Sequence, residues 1–549
     1  MISNQVSPAY VWSGRLSTQS RLSIRGDYRR MKNFKFIVAG LLTLAGCNQS
    51  TDSRPVAETI LATPETSITP IVPRGPYQTT GIKIGEVTSA EAIVWTRLTQ
   101  NPERVGSDAP WPNVLYKSPD SDELQEDLPG RFHPHDWVPV VTYPEGYSLD
   151  NIDGAVRGAE GELRVEYRPE GSENWLSTEW QAVDPEQDFT SQFMLINLLS
   201  GADYEVRVES RQTGSTEVSS AIEGHFRTAP SPDVPARVVF AATTGQDYED
   251  QDAPGGGFRM YPSMMDLDVD FFVHTGDIVY YDAYAKNVDL ARWGWARMYS
   301  LPTNMEFQRN VTSYFIKDDH DTWQDDTWPT QESSYMGALT FQDGVRIFKE
   351  QVPMNDLTYR TYRWGQDLQV WLVEGRDYRD ENEVPDYVGK SIWGEEQKAW
   401  FKETVEASDA TFKILISPTP MVGPDNEGKT DSHANVSFDF EGSELRKFMA
   451  DQDNMITIVG DRHWQYVSVD DETGLREYAT GPASDTHTSG WSSNDDVRPE
   501  HRYLNIIGGF LLTTVERVDE VPTMAMRHYG VDGNLLNEHI LTEAILAAD

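Results

Sequence analysis

Asp270-Phe271-Phe272-Val273-His274 is an apolar run that passes without a break into Thr275-Gly276-Asp277-Ile278-Val279-Tyr280, and this change of character decides the fold. A short apolar segment ending at Gly-Asp reads as a buried strand that delivers a polar turn at its carboxyl end. The pattern recurs. Residues 238–242 precede Thr243-Thr244-Gly245-Gln246-Asp247-Tyr248, residues 314–317 precede Asp318-Asp319-His320-Asp321, and residues 455–459 precede Gly460-Asp461-Arg462-His463. Further strands at 368–373 and 412–416 and helical stretches such as 395–405 make the region from 237 to 549 an α/β layered domain. In open α/β sheets the loops at the strands' carboxyl ends share one crevice, so the four clusters are expected to meet. Carboxylates crowded in this way repel one another unless cations neutralise them. A polynuclear metal site is the expectation. Taken singly, Gly-Asp is an ordinary turn and Asp-Asp-His an ordinary helix cap, but four clusters in order on successive strands outweigh that reading.

Composition sets the frame around this domain. A chain of 549 residues, 38% hydrophobic, buries a large core and is expected to form two domains. Lys plus Arg number 46 against 88 Asp plus Glu, a formal charge of −42, which repels phosphate backbones and excludes stable nucleic-acid binding. The single cysteine, Cys47, excludes internal disulfides and Cys-rich zinc clusters.

Residues 31–46 read as a signal peptide, with Met31, Lys32 and Lys35 ahead of an apolar run that closes in Leu44-Ala45-Gly46-Cys47. That ending resembles a bacterial lipobox, in which cleavage leaves the cysteine as a lipidated first residue. The expectation is a lipoprotein held to a membrane through Cys47, periplasmic or outer-membrane anchored, with the cell surface as a further option. Residues 1–30 read as an upstream extension and 47–76 as a Ser/Thr/Pro-rich tether.

Alternating apolar and polar residues at 81–87, 92–98, 163–167, 192–198 and 204–209 predict an N-terminal β-sandwich over 77–230. Leu198-Leu199-Ser200-Gly201-Ala202-Asp203-Tyr204 resembles the turn before a tyrosine corner in fibronectin-type sandwiches. An insertion at 103–160 carries an acidic run at 120–123 and the pair His133 and His135, read as loop decoration because Pro134 limits how two imidazoles converge.

The ordered set of clusters resembles the metallophosphoesterase superfamily, and most closely its alkaline phosphatase D (PhoD-like) branch, which has Asp-Asp-His and Gly-Asp-x-His in these places. Glu374-Gly375-Arg376-Asp377-Tyr378-Arg379 and Gly481-Pro482-Ala483-Ser484-Asp485 resemble further blocks of that branch. The resemblance implies an Ig/fibronectin-like sandwich followed by a four-layer α/β/β/α domain. It implies metal-dependent hydrolysis of small or medium phosphate esters, of the alkaline phosphatase or phosphodiesterase type, by a metal-activated water. Asp277 matches the carboxylate bridging the metals and Tyr280 a phenolate ligand. Asp319, Asp461 and His463 match the later ligands, Asp247 is a further one, and His320 matches the histidine beside the leaving group. Arg376 is a candidate to hold phosphate, against pairing with Asp377 or Asp380. His433 is a candidate ligand, with Asn435 as its alternative, and His487 a candidate supporting residue. Two departures stand out: Gly245 occupies the position of an iron-binding cysteine, and Glu374-Gly375-Arg376 replaces Asp-Thr-Arg. A donor set of carboxylates and phenol without thiolate suits two or more ions, calcium with ferric iron or manganese, better than zinc.

Other readings compete. Gly423-Pro424-Asp425-Asn426-Glu427-Gly428-Lys429-Thr430 satisfies the P-loop pattern, but its acidic residues would occupy a phosphate cradle and no helix is predicted after it. A glycan-binding surface lipoprotein without catalysis, using some of the 16 tryptophans, and a metal-dependent sulfate-ester hydrolase in the same site remain as alternatives.

Overall fold

Along the strand Val238–Thr243, Val238, Phe240 and Ala242 lie in one hydrophobic core while Val239 and Ala241 lie in another. Alternate residues of a strand face opposite ways, so a strand apolar on both faces must be covered on both. In the computed structural model, which describes residues 75–542 apart from 122, 126–135, 427 and 490–496, this rule generates the architecture. The signal segment, Cys47, the tether up to residue 74, His133, His135 and Glu427 lie outside the described residues.

Val238–Thr243 sits in a six-stranded sheet. On one side Phe271–His274 and Thr312–Phe315 run parallel to it, and on the other Phe510–Val518, Val521–Tyr529 and Leu535–Thr542 continue antiparallel. A second sheet, of seven strands, has Leu368–Leu372, Phe412–Ser417 and Met455–Val459 parallel at its centre. The two sheets pack face to face, with Phe240, Phe271, Ile414, Ile458 and Val515 in the shared core. The outer face of the first is covered by helices including Val288–Tyr299 and Phe341–Gln351, and that of the second by Gly394–Glu406 and Asp439–Ala450. The result is the four-layer α/β/β/α arrangement.

N-terminal to it, two antiparallel sheets enclose a separate core containing Ile84, Val94, Val165, Phe193, Tyr204 and Val208. The backbone N–H of Leu199 donates to the Tyr204 hydroxyl at 2.8 Å, which closes the expected tyrosine corner. The insertion forms its own three-stranded sheet from Asn113–Lys117, Leu124–Gln125 and Val138–Thr142. It also contributes Tyr116, Ile152 and Ala155 to a core of the four-layer block, with Tyr116 stacked on Tyr335 at 4.7 Å. Much of this segment is therefore packing surface. Its firmest anchor is Arg297, a buried guanidinium within 4.3 Å of the rings of Trp111, Tyr248, Tyr284 and Trp293. Such a cage holds a cation by its ring faces where few hydrogen-bond acceptors are at hand.

Polar ties join the sandwich to the α/β/β/α layers. Glu86 accepts from Arg360 Nε at 3.0 Å and from the Tyr362 hydroxyl, and Lys83 donates to the Gln351 carbonyl at 2.9 Å. Removing one partner of a buried pair leaves the other charge uncompensated. Glu86→Ala is accordingly expected to cost about 3–5 kcal/mol, read as a lowered urea midpoint by tryptophan fluorescence. An unchanged midpoint would show that the tie contributes nothing.

Candidate metal centre

The site is built where the turns after four strands lock together. Asp277 and Asp461 both adopt left-handed backbone, with φ of +57° and +61°, a conformation a short polar side chain tolerates better than most. Between them the turns exchange hydrogen bonds. Gly245 N–H donates to Gly276 O at 3.1 Å, Gln246 N–H to Asp277 O at 2.8 Å, and Asp461 N–H to Thr244 Oγ1 at 3.1 Å. Asp321 braces a third turn, its carboxylate accepting from Ile278 N–H at 3.1 Å and Asp318 N–H at 2.6 Å. Gly276, at φ +117°, is required here because a β-carbon would lie 2.5 Å from that of Asp318.

These turns aim their side chains into a cleft of about 330 Å³ that Asp277, Tyr280, Asp319, His320, Asp461 and His463 help to line. The His463 Nε2 atom stands 3.2 Å from Asp277 Oδ2, and the Tyr280 hydroxyl stands 3.4 Å from that nitrogen and 3.5 Å from that oxygen. Asp277, Asp319 and His320 present ligand atoms within 4.8 Å of one another, as do Asp319, Asp325 and Asp326. Two cations also line the cleft: Arg462 bridges Asp461 at 2.7 Å, Asp425 at 2.8 Å and Asp431 at 3.1 Å, and Lys429 pairs with Asp326 at 2.7 Å.

The electrostatics of this cluster call for cations. Burial, then the neighbouring Asp319 carboxylate, pushes the pKa of Asp277 well above the carboxylate range. Burial likewise raises Asp461 well above that range, with Asp431 and Asp318 adding to it against Arg462. Burial and the adjacent carboxylates, Asp277 first among them, push the Tyr280 phenol well up. Burial, helped by His487, His320 and Arg462, holds His463 well below the histidine value, so it is neutral. Burial opposes charge on His320 too, but Asp282, Asp319 and Asp277 outweigh it and hold the pKa well above the ordinary value. Asp277 Oδ1 and Asp318 Oδ2 are buried without a hydrogen-bond partner. A neutral imidazole, buried carboxylates short of partners and a phenol together make a donor set that fits hard or borderline metal ions.

Two sequence-derived candidates lie elsewhere. Arg376 is fully buried and does not line the cleft. Its Nε contacts Asp318 at 2.5 Å, and its Nη2 lies 3.8 Å from Asp319 and 3.9 Å from Asp431. The expected partners are corrected as well, since Asp377 instead pairs with Lys317 at 2.8 Å. Arg376 thus tethers the acidic turns from beneath, because the Asp318 carboxylate meets it before any ligand in the cleft can. His433 is also fully buried away from the cleft, its Nε2 3.0 Å from Glu441 and its ring 5.4 Å from Trp393. Helix Asp439–Ala450 supplies that carboxylate and so draws the imidazole into the layer below. Asn435 bonds to Asp425 and Ser432. Asp247 caps a short 3₁₀ turn at the edge of the site, grouped with Asp250 and His487.

Sequence reasoning missed Asp282, whose carboxylate contacts His320 Nδ1 at 2.9 and 3.0 Å. It also missed Arg462 and Lys429 as cations facing the cleft. Lys429 belongs to the P-loop-like segment, yet the next helix begins only at Asp439, so no phosphate cradle forms there. His433→Gln is expected to retain the wild-type metal content and turnover within about threefold, while losing about 1–3 kcal/mol of stability as Glu441 loses its partner. Elemental analysis beside a thermal melt checks this, and loss of metal would return His433 to the ligand set.

No curated protein matches the sequence. Residues 240–505 match the family model described as PhoD-like phosphatase. Among solved structures the chain is similar to PhoD, at 16% identity and a TM-score of 0.60 over 85% of this chain and 89% of that one. It is also similar to purple acid phosphatase PPD1 from yellow lupin (Lupinus luteus) seeds, at 13% identity and a TM-score of 0.57 over 87% of this chain and 76% of that one. These identities speak for the fold, and the family match covers the segment that carries every turn of the cleft. The chain therefore carries a PhoD-like phosphatase domain of the metallophosphoesterase type, and it is a phosphoesterase.

Proposed function

We propose that the protein hydrolyses small phosphate esters in this cleft, with metal ions held by Asp277, Tyr280, Asp319, Asp461 and His463 and with His320 as the proton donor to the leaving group. The observation that carries this reading is the convergence of those donors beside a histidine that is itself oriented by a carboxylate. When bound, the cations supply Lewis-acid stabilisation of the phosphoryl oxygens and lower the pKa of the attacking water. The chain's own residues do the rest. Asp282 engages Nδ1 of His320 and so leaves Nε2 to face the cleft, where its proton passes to the departing alkoxide. Arg462 and Lys429 add positive potential for an anionic ester. Arg376 keeps Asp318 and Asp319 in place. Calcium with ferric iron or manganese suits the oxygen-rich part of the set. Cys47 carries a lipid in this reading, which holds the enzyme at the bacterial envelope, periplasmic or outer-membrane anchored.

Three outcomes follow. Hydrolysis of a chromogenic monoester or bis-ester is expected to cease with a strong chelator and return on adding metal, and chelator-resistant turnover would refute the metal requirement. Asp277→Asn is expected to abolish turnover in a folded protein, where near-native rates would contradict its role. His320→Ala should lower kcat by about 10²-fold for an alkyl ester with a poor leaving group and far less for a nitrophenyl ester. An equal loss on both would remove the proton-donor role.

A further inference from the structure

Gly245, in the first of the interlocking turns, brings no side chain to the edge of the site. A β-carbon there would stand 2.7 Å from His463 Nε2 and 3.1 Å from His487 Cδ2, so the space is already filled by two imidazoles. Only a glycine lets them come together, with ring centroids 4.4 Å apart. His487 arrives on a separate loop, after strand Arg476–Thr480, and that loop is fastened across the Gly245 turn. Thr244 N–H donates to Gly481 O at 3.2 Å and Ala483 N–H to Gly245 O at 2.9 Å.

The orientation of His487 is set from both ends of its ring. Nδ1 lies 2.9 Å from Asp250 Oδ2, and Nε2 lies 2.5 Å from the Tyr280 hydroxyl. A carboxylate on one imidazole nitrogen fixes the tautomer that offers a lone pair at the other, the usual arrangement behind a metal-bound histidine. That lone pair enters a group of four atoms, with the Tyr280 oxygen 3.4 Å from His463 Nε2 and 3.5 Å from Asp277 Oδ2, and the last two 3.2 Å apart. Donors about 2.1 Å from a shared ion, at tetrahedral or octahedral angles, stand roughly 3.0–3.4 Å from one another. The three spacings among the Tyr280, His463 and Asp277 atoms lie at or near that range, and the 2.5 Å between the Tyr280 hydroxyl and His487 Nε2 is a hydrogen bond that would open by about 0.5 Å when both atoms bind one ion.

We propose that His487, through Nε2, is a metal ligand that completes a coordination shell with Asp277, Tyr280 and His463, and that Asp250 is its positioning residue. The proposal rests on the metal-centre reading above. Two imidazoles, a phenol and a carboxylate make a mixed nitrogen and oxygen set that suits a transition-metal ion, whereas the carboxylate side around Asp319, Asp325 and Asp326 suits a hard ion such as calcium.

The test compares the full-length protein with its His487→Ala, Asp250→Asn and Asp277→Asn variants, each stripped and then titrated with manganese or iron against a competing chelator. Bound metal is counted by elemental analysis. His487→Ala is expected to lose one equivalent of transition metal, or to bind it about 10- to 100-fold more weakly, and to keep calcium. Asp250→Asn should weaken the same ion about 10-fold, and added imidazole should restore part of the loss in His487→Ala. Wild-type stoichiometry and affinity in both His487→Ala and Asp250→Asn, with Asp277→Asn depleted, would overturn the proposal and leave the metal centre standing. Full metal retention in Asp277→Asn would instead overturn the underlying reading and the proposal with it.

Discussion

Buried carboxylates cannot stay charged beside one another without a counter-charge, and the catalytic half of this protein is organised around that constraint. Asp277, Asp318, Asp319 and Asp461 are brought into one small volume by turns that hydrogen-bond to one another. Basic side chains answer part of the charge from behind and from the wall, through Arg376, Arg462 and Lys429. What is left unanswered faces the cleft, where Asp277 and Asp461 are pushed toward protonation. Metal ions are the economical way to complete the balance, and the left-handed backbone at both aspartates keeps them aimed there.

The fold surrounds this constraint with rigid layers. Strands such as Val238–Thr243 and Phe412–Ser417 bury both faces, so the sheets cannot slip in register without exposing a core. The insertion and the sandwich are packed onto this block through Arg297, Glu86 and Lys83 rather than hung from it. Tyr248, which contacts Arg297, immediately follows Asp247, so the insertion and one edge of the cleft share a single anchor.

Much of this was legible in the sequence because strand and turn signals are local. The strand predicted at 270–274 is observed at Phe271–His274, and the helix predicted at 395–405 at Gly394–Glu406. Tyr204 lay in a recognisable corner and makes the corner bond. The cleft residues that follow a strand by one to six positions were readable for the same reason. Asp282 and Arg462 were not, because their importance depends on which distant residue faces them: His320 for one, three aspartates for the other. Arg376 and His433 were assigned by position in a motif, and only the three-dimensional placement of Asp318 and Glu441 reveals what they bond. His487 carried a weak signal in sequence, since neither its own neighbours nor the Gly245 turn reveals that the two loops cross.

Anomalous diffraction from crystals of the hydrolytically competent protein would examine the central claim directly. At least two metal peaks are expected in the cleft, one of them flanked by Asp277 and His463. A cleft without an anomalous peak, in a sample that still turns over phosphate esters, would contradict it.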